Sequence, residues 1–159
     1  MKLVSAESRH REFVRRLSAE VFARFGSYDK MLPAMLEWPS IRTIVAEARG
    51  CPVGFAMISL EDAAVGEIDL TAIAVEPAWQ SRGVGRTLLL HVEQLARSAV
   101  TGEQSPSVRL TVAEDNARAR GLFEAVGYRL VPGEEDRYSG GQRSLMLRKN
   151  LCSDVDPDL

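Results

Sequence analysis

Cysteine and histidine are scarce in this sequence, and their positions do not suggest a shared site. The chain has two cysteines and two histidines in 159 residues. Cys51 precedes a proline in a predicted turn, and Cys152 lies near the C-terminus. His10 and His91 are far apart in the chain. A disulfide scaffold or a zinc site needs clustered ligands, so we expect neither of these and no other metal.

Long apolar runs and an excess of one charge are also missing. No run approaches the ~20 residues of a membrane span, and the N-terminal stretch "MKLVSAESRHREFV" lacks the apolar core of a signal peptide. The formal net charge of −2 gives no overall basic field to attract nucleic acid. We therefore expect a cytoplasmic protein with no membrane or nucleic-acid partner, and a homodimer stays open.

The composition is that of an ordinary globular chain. The hydrophobic fraction is 45% and the charged fraction is 26%, as is usual for soluble proteins. The length suits one domain. We expect a single domain over residues 1–150, followed by an acidic C-terminal tail over residues 151–159.

Hydrophobic spacing predicts an α/β protein. A first helix is expected over residues 6–25, because apolar side chains recur at helical intervals and a glycine follows. The stretch "SYDKMLPAMLEWPS" is ambiguous because prolines interrupt it. The other predicted elements are a first strand at "KLVSA", strands over 41–48, 53–61 and 67–75, a helix over 84–99, a strand over 107–112, a helix over 115–126 with Asp115 as its N-cap, and two last strands at "YRLV" and "RSLMLRK".

The stretch "WQSRGVGRTLLLHVEQLA" places two glycines and two arginines where a predicted helix begins. A glycine inside a helix costs roughly 1 kcal/mol against alanine, so the bare backbone needs a reason. The first N–H groups of a helix have no internal partners, and glycine lets an anion such as phosphate approach them. Arg82 and Arg86 flank the turn and can neutralise that anion. A helix that simply follows a flexible loop explains the glycines equally well.

Two known nucleotide motifs are not matched at this turn. A P-loop has lysine after its last glycine, whereas Arg86 follows Gly85 here. A dinucleotide fingerprint needs a third glycine, and Leu88 stands at that position.

Two longer motifs together resemble those of the GNAT superfamily, the acyl-CoA-dependent N-acyltransferases. "AVEPAWQSRGVGRTLL" is similar to motif A of the family, [QR]-x-x-G-x-[GA] after a strand that ends in a Val-x-Pro turn. "VAEDNARARGLFEAVGYRL" is similar to the second motif, N-x-x-A-x-x-L-[YF]-x-x-x-G-[FY]. The resemblance implies the GNAT fold, an α/β mixed sheet of roughly six to seven strands flanked by about four helices, splayed between strands 67–75 and 107–112.

The resemblance also implies acetyl-CoA as co-substrate. The turn over 82–87 would wrap the pyrophosphate with backbone N–H groups, strand 67–75 would pair with the pantetheine arm, and Asn116 would contact that arm from the other wall. Asn116 is equally a common helix-start residue, and Ile73 and Val75 suit the core of any α/β protein. The implied cofactor-binding residues are Ile73, Ala74, Val75, Gln80, Arg82, Gly83, Val84, Gly85, Arg86, Thr87, Asn116 and Phe123.

Transfer to an amine requires a base, because an alkylammonium with a pKa near ~10.4 is not a nucleophile. Glu67 and Asp69 share one face of their strand, and Glu67 is the better match for the catalytic carboxylate. Alternating polar residues on a strand also suit a solvated face. Backbone N–H groups near residues 73–75 would polarise the thioester carbonyl if the strand is bulged there, as in the family.

The acid that protonates the leaving thiolate is where the sequence departs from the family. Many members carry tyrosine in the helix of the second motif, and this chain has Phe123 there. Tyr138 matches a tyrosine seen in many members near the acceptor site, so the acid is Tyr138, a water or absent. Cys51 and Cys152 lie far from both motifs, so an acyl-cysteine intermediate is not expected.

We therefore predict an N-acetyltransferase that moves the acetyl group directly from acetyl-CoA to a primary amine of a small molecule or protein. A non-catalytic CoA-binding regulatory module and an unrelated nucleotide-binding α/β domain are the alternatives. Met31, Met35 and Trp38 are expected to make one wall of the acceptor pocket partly apolar, or else to belong to the core.

Overall fold

The computed structural model describes residues 1–151 as a mixed α/β fold. Short 3₁₀ turns at Ser8–His10, Ala63–Val65 and Pro77–Trp79 connect some of its elements. The helices and strands of this range are β1 (Lys2–Ser5), α1 (Arg11–Phe22), α2 (Tyr28–Met35), β2 (Ile41–Ala48), β3 (Cys51–Ser59), β4 (Glu67–Val75), α3 (Val84–Ala99), β5 (Ser107–Ala113), α4 (Ala117–Val126), β6 (Arg129–Leu130), β7 (Asp136–Arg137) and β8 (Arg143–Asn150).

One sheet holds these strands in the order β1-β2-β3-β4-β5-β8-β6, with β7 paired to β8. Neighbouring strands are antiparallel except β4 and β5, which are parallel and are joined through α3. β4 and β5 pair only as far as Leu70 and Leu110, whereas β4 stays paired with β3 as far as Val75. The predicted splay is therefore confirmed, and it opens a gap between the carboxyl ends of β4 and β5.

The helices bury two separate apolar clusters on the sheet. Leu88 of α3 and Phe123 of α4 belong to one cluster, and Leu17 of α1 and Leu32 of α2 belong to the other. Because burial of a leucine side chain stabilises the fold by roughly 1.5–3 kcal/mol, both helix layers are held firmly on the sheet. The gap between β4 and β5 is bordered by helices of both layers, namely by the end of α1 on one face and by α3 and α4 on the other.

A β-bulge marks the point at which the splay begins. Ile58 of β3 faces Leu70, but the next β3 residue back, Met57, faces Ala72, so Thr71 has no partner. The extra residue changes the face to which β4 side chains point: Leu70 packs in the cluster of α3, and Ala72 packs in the cluster of α1. The bulge thus lies at Thr71, not at the predicted residues 73–75.

The first helix is shorter than predicted because a separate turn precedes it. The Glu7 backbone N–H donates to Nδ1 of His10 (2.9 Å), so the ring proton lies on Nε2, which donates to Glu47 (2.9 Å). This buried arrangement fixes Ser8–His10 as a 3₁₀ turn, and α1 begins at Arg11. The ambiguous stretch that follows forms α2, with Pro33 inside it.

Other boundaries also differ from those predicted. Asn116, not Asp115, is the N-cap of α4, because its Oδ1 accepts from the Ala119 N–H (3.3 Å). The short β7 raises the count of described strands to eight. Leu151 packs in the core with 2% exposure, and the rest of the predicted tail, with Cys152, lies outside the described residues. No helix within residues 1–151 is long and apolar enough to cross a bilayer.

Candidate active site

A cavity of about 640 Å³ occupies the gap between β4 and β5. Its walls are the splayed parts of these strands, the start of α3, the inner side of α4, the end of α1 with the loop that follows, and Tyr138. One end lies beside the glycine-rich turn before α3. The other end lies among aromatic side chains, so the two ends differ in chemistry.

The backbone of β4 offers unpaired groups to this cavity. The N–H of Glu76 donates to the Val53 carbonyl on β3 (2.8 Å). Because backbone groups alternate between the two sides of a strand, those of Ala74 also point toward β3, and those of Ile73 and Val75 point away from it into the gap. An extended ligand with amide groups can therefore pair with the backbone groups of Ile73 and with the N–H of Val75 in place of a neighbouring strand, whereas the Val75 carbonyl accepts from the Gln80 side chain (3.2 Å).

The start of α3 presents free N–H groups to the same cavity. Gly83 is the N-cap residue with a φ of +84°, and no side chain caps the first turn. A Cβ atom at Gly83 would meet no heavy atom within 4 Å, so the backbone there faces open space. Gly85 and Arg86 line the cavity beside it. Uncapped N–H groups, the positive end of the helix dipole and an arginine together suit a phosphate group.

A Cβ atom at Gly85 would lie 3.1 Å from a methyl group of Leu122. Glycine at this position therefore lets the start of α3 lie close to α4, and the same Cβ would lie 3.8 Å from a methyl group of Val75 on β4. A narrow groove with strand-like pairing groups and a phosphate site at its end fits a molecule of coenzyme A.

Three of the predicted cofactor residues do not line the cavity. The Arg82 guanidinium stacks over the Trp79 ring at 5.1 Å from its centroid, and Val84 is buried in the core with 3% exposure. The Thr87 hydroxyl donates to the Gly83 carbonyl (2.8 Å). These side chains shape the turn, so any contact that they make with the ligand comes from their backbone or from a movement of Arg82.

Gln80 lines the cavity but has protein partners at both ends of its amide. Its Nε2 donates to the Val75 carbonyl (3.2 Å), and its Oε1 accepts from Arg118 of α4 (2.6 Å). Gln80 therefore links the end of β4 to α4 near the phosphate end of the groove. Arg118 itself lines the cavity and was not identified from the sequence.

Asn116 and Phe123 both line the cavity, as the resemblance implied. Asn116 also caps α4, so the two roles considered for it are compatible. Phe123 is 4% exposed, and its ring packs 6.0 Å from that of Tyr128. Its side chain has no proton to give at this wall.

The aromatic end of the cavity is built by residues far apart in the chain. The Tyr138 ring packs 4.7 Å from that of Phe25, and the Tyr28 ring packs 5.5 Å from that of Phe22. Tyr138 shares the cavity wall with Thr111 of β5, and burial raises the pKa of Tyr138. Burial raises the pKa of Tyr28 as well, so both phenols stay protonated at neutral pH.

The loop after α1 and the turn before β8 are joined over this aromatic end. The Gly140 N–H donates to the Phe25 carbonyl (3.2 Å), and the Gln142 side chain donates to the Arg24 carbonyl (2.8 Å). Glycine is required at position 140, because a Cβ there would lie 1.9 Å from the Arg24 oxygen. Arg24 also binds both carboxylate oxygens of Asp115 (3.0 and 3.2 Å), so it connects the aromatic end to the start of α4.

Glu67, the predicted base, does not lie in the described cavity wall. It stands at the paired end of β4, and its side chain is 15% exposed. Arg109 binds its carboxylate (2.5 Å), and Arg148 binds it as well. Two guanidinium groups hold this carboxylate away from the gap, so its placement argues against the predicted role.

The expected apolar wall from α2 is also different. Tyr28 lines the cavity, but Met31 and Trp38 are 43% and 50% exposed and Met35 belongs to the core. Tyr28 belongs to the stretch "SYDKMLPAMLEW", which was expected to form a wall of the acceptor pocket, whereas Thr71 and Arg24 are lining residues that were not singled out from the sequence. Only Thr71 had a local signal, its place on the polar face of β4.

Comparison with known proteins agrees with this geometry. The acetyltransferase (GNAT) family profile matches residues 9–128. The N-alpha-acetyltransferase RimI of Mycobacterium tuberculosis is 37% identical over 114 residues, which cover 69% of this chain and 67% of that protein.

Solved structures share the fold at lower identity. The ribosomal-protein-S18-alanine N-acetyltransferase of Escherichia coli has a TM-score of 0.76 at 19% identity, with 98% of this chain and 97% of that one covered. An aminoglycoside 6′-N-acetyltransferase complexed with coenzyme A has a TM-score of 0.77 at 13% identity, with coverage of 98% and 100%.

The profile match spans both sequence motifs and most of the cavity wall. It excludes an unrelated nucleotide-binding domain, and nothing in the comparisons supports a non-catalytic CoA-binding module. The chain belongs to the acetyltransferase (GNAT) family.

Proposed function

We propose that the protein transfers the acetyl group of acetyl-CoA to the α-amine at the N-terminus of a polypeptide. The groove between β4 and α3 takes the donor, with Ile73 and Val75 along its arm and the start of α3 at its phosphates. The aromatic end takes the acceptor. The main support for this class of acceptor is the charge of the cavity wall.

The charged side chains of the described wall are Arg24, Arg86 and Arg118. Asp115 at the rim balances Arg24, and the other two arginines lie toward the phosphate end. A polycationic acceptor such as an aminoglycoside would meet like charge here. A peptide N-terminus brings a single ammonium group and polar backbone groups, which suit the phenol hydroxyls. The mycobacterial relative with 37% identity is itself named an N-alpha-acetyltransferase, which supports the same class.

The arrangement suits direct transfer from the bound thioester. The amine nitrogen attacks the carbonyl carbon, the carbon–sulfur bond breaks, and the sulfur leaves as a thiolate that takes up one proton. Backbone N–H groups of β4 that point into the gap stabilise the negative charge on the carbonyl oxygen. Tyr138 is the proton donor at the acceptor end, and its raised pKa keeps it protonated.

A panel of acceptors tests this proposal. The purified protein is given acetyl-CoA with a peptide that has a free N-terminus, with the same peptide blocked at its N-terminus but carrying a lysine, and with an aminoglycoside. Release of free thiol is followed, and the site of acetylation is read by mass spectrometry. We expect turnover of the free N-terminus only. Turnover of the aminoglycoside or of the lysine alone would contradict the proposed acceptor.

Arg86→Ala should weaken binding of CoA by about tenfold or more, because a charge-assisted contact to phosphate contributes roughly 1.5–3 kcal/mol and each 1.4 kcal/mol is about a factor of ten. Binding of pantetheine, which lacks the pyrophosphate, should not change. Isothermal titration calorimetry measures both affinities, and Arg97→Ala, at the exposed far end of α3, is the matched control. Arg82→Ala should have a smaller effect, since Arg82 stacks on Trp79. Equal losses for CoA and pantetheine would show that Arg86 is not a phosphate ligand.

A further inference from the structure

Two threonines follow directly after the last paired residues of β4 and β5, Leu70 and Leu110. Thr71 on β4 and Thr111 on β5 both line the cavity. The Thr71 hydroxyl donates to Oδ2 of Asp69 (3.4 Å). A hydrogen bond therefore leads from the cavity wall to a carboxylate.

Asp69 is linked to the cavity wall through its hydrogen bond with the bulged residue Thr71. The bulged Thr71 lies in the cavity wall, whereas Asp69 lies just outside that wall, with its side chain 40% exposed. A proton that reaches Asp69 from Thr71 can therefore pass to solvent. The bulge fixes this arrangement, because it ends the regular alternation of β4 between these two residues.

The charged groups around Asp69 come from three neighbouring segments. Arg109 of β5 has its Nε 3.6 Å from Oδ1 of Asp69. The same guanidinium is shared with Asp62 (2.6 Å), from the loop before β4, and with Glu67 (2.5 Å), and Glu67 also binds Arg148 of β8. Partial desolvation of its half-exposed side chain raises the pKa of Asp69, and the nearby Asp62 adds to this, against the opposing effects of Arg109 and Thr71. A carboxyl with a raised pKa is a stronger base than an ordinary aspartate.

The other carboxylates near the cavity are less suited to accept a proton. Glu67 is bound by two arginines, as described above. Asp115 is bound through both oxygens by Arg24, and this hydrogen bonding lowers its pKa. Asp69, by contrast, contacts Arg109 only at 3.6 Å.

We propose that Asp69 accepts the proton of the acceptor ammonium and that the Thr71 hydroxyl relays it. The ammonium gives one proton to the Thr71 oxygen as the hydroxyl proton of Thr71 passes to Asp69. The products of this step are a neutral amine and a protonated carboxyl group, which releases its proton to solvent. This inference rests on the proposed function, since it requires an amine acceptor.

The two proton transfers of the reaction use different segments of the cavity wall. The proton of the ammonium leaves through Thr71 of β4, and the proton for the thiolate comes from Tyr138 in the turn before β8.

The test is the pH dependence of kcat/KM for a peptide acceptor in Asp69→Asn and Thr71→Val. An α-amine has a pKa of about 7.7–8.0, so only about a twentieth of it is neutral at pH 6.5. Without the relay the enzyme must use this fraction, and we expect both variants to lose about tenfold in kcat/KM at pH 6.5. The loss should shrink below about twofold at pH 9, where the amine is already neutral. Affinity for CoA should not change.

Asp62→Asn is the matched control, because Asp62 shares Arg109 with Asp69 but has no contact with Thr71. It should keep kcat/KM at pH 6.5 within about twofold of the parent, with only a slight shift of the profile to lower pH, because Asp62 contributes to the raised pKa of Asp69. A loss in Asp69→Asn that is the same at pH 6.5 and pH 9 would show a structural role, and a parent profile in both variants would show another route for the proton. Either result overturns the relay. If the parent protein itself acetylates no amine, it is the proposed function that fails.

Discussion

Gly83→Asp should weaken binding of CoA about a thousandfold. Its side chain would project into the open space beside the first turn of α3, where the pyrophosphate is expected. Two like charges about 4 Å apart repel by roughly 4 kcal/mol at an effective dielectric constant of 20, and about 1.4 kcal/mol corresponds to a tenfold change in affinity. Isothermal titration calorimetry with CoA measures the loss.

Gly83→Asn separates charge from backbone strain in this experiment. Asparagine has nearly the size of aspartate, and it tolerates the positive φ of +84° at this position better than most residues. We expect its affinity for CoA to stay within about tenfold of the parent. Equal losses in both variants would mean that strain alone causes the effect, and normal binding by Gly83→Asp would place the phosphates elsewhere.

Tyr138→Phe should lower kcat about a hundredfold and leave the affinity for acetyl-CoA unchanged. Loss of a general acid typically costs about 10²–10⁴-fold, and the low end is expected because a thiolate is a good leaving group. The ring would keep its packing on Phe25, so only the hydroxyl is removed. Since burial raises the pKa of Tyr138, the parent enzyme should show no loss of kcat up to pH 9 from ionisation of this group. Steady-state rates with a peptide acceptor give both results.

Phe123→Tyr is the companion to this variant. Phe123 lines the cavity, so a hydroxyl there could take over the proton transfer in the double variant Tyr138→Phe, Phe123→Tyr. Recovery of about tenfold or more in kcat would place position 123 beside the sulfur. Turnover by Tyr138→Phe at the parent rate would show that Tyr138 only packs in its loop.

The donor side of the site could be predicted because its determinants are local. The predicted spans 41–48, 67–75 and 84–99 coincide with β2, β4 and α3. Each of these spans has an apolar pattern typical of one element type, and no proline or glycine cluster interrupts it. The glycines of the turn before α3 act through their own backbone, and a motif of consecutive residues records that directly. Ile73 and Val75 could be placed along the cavity because the bounds of β4 were predicted correctly.

The acceptor side could not be predicted in the same way. Glu67 looked like a base because the sequence does not show Arg109 and Arg148, which reach it from two other strands. Thr71 gains its place from a bulge, and one extra residue in a strand pairing leaves no mark in the hydrophobic pattern. Tyr28 enters the wall through the packing of α2, which the sequence left ambiguous.

The two loops joined over the aromatic end determine which substitutions can alter the acceptor end of the cavity separately from the donor groove. Every donor-side lining residue belongs to one continuous stretch, residues 70–123, whereas the acceptor end takes its rings from residues 21–28 and from Tyr138. The hydrogen bonds of Gly140 and Gln142 to the loop after α1 couple these two outer segments. A substitution in either outer segment should therefore reshape the acceptor end while it leaves the residues that line the donor groove in place.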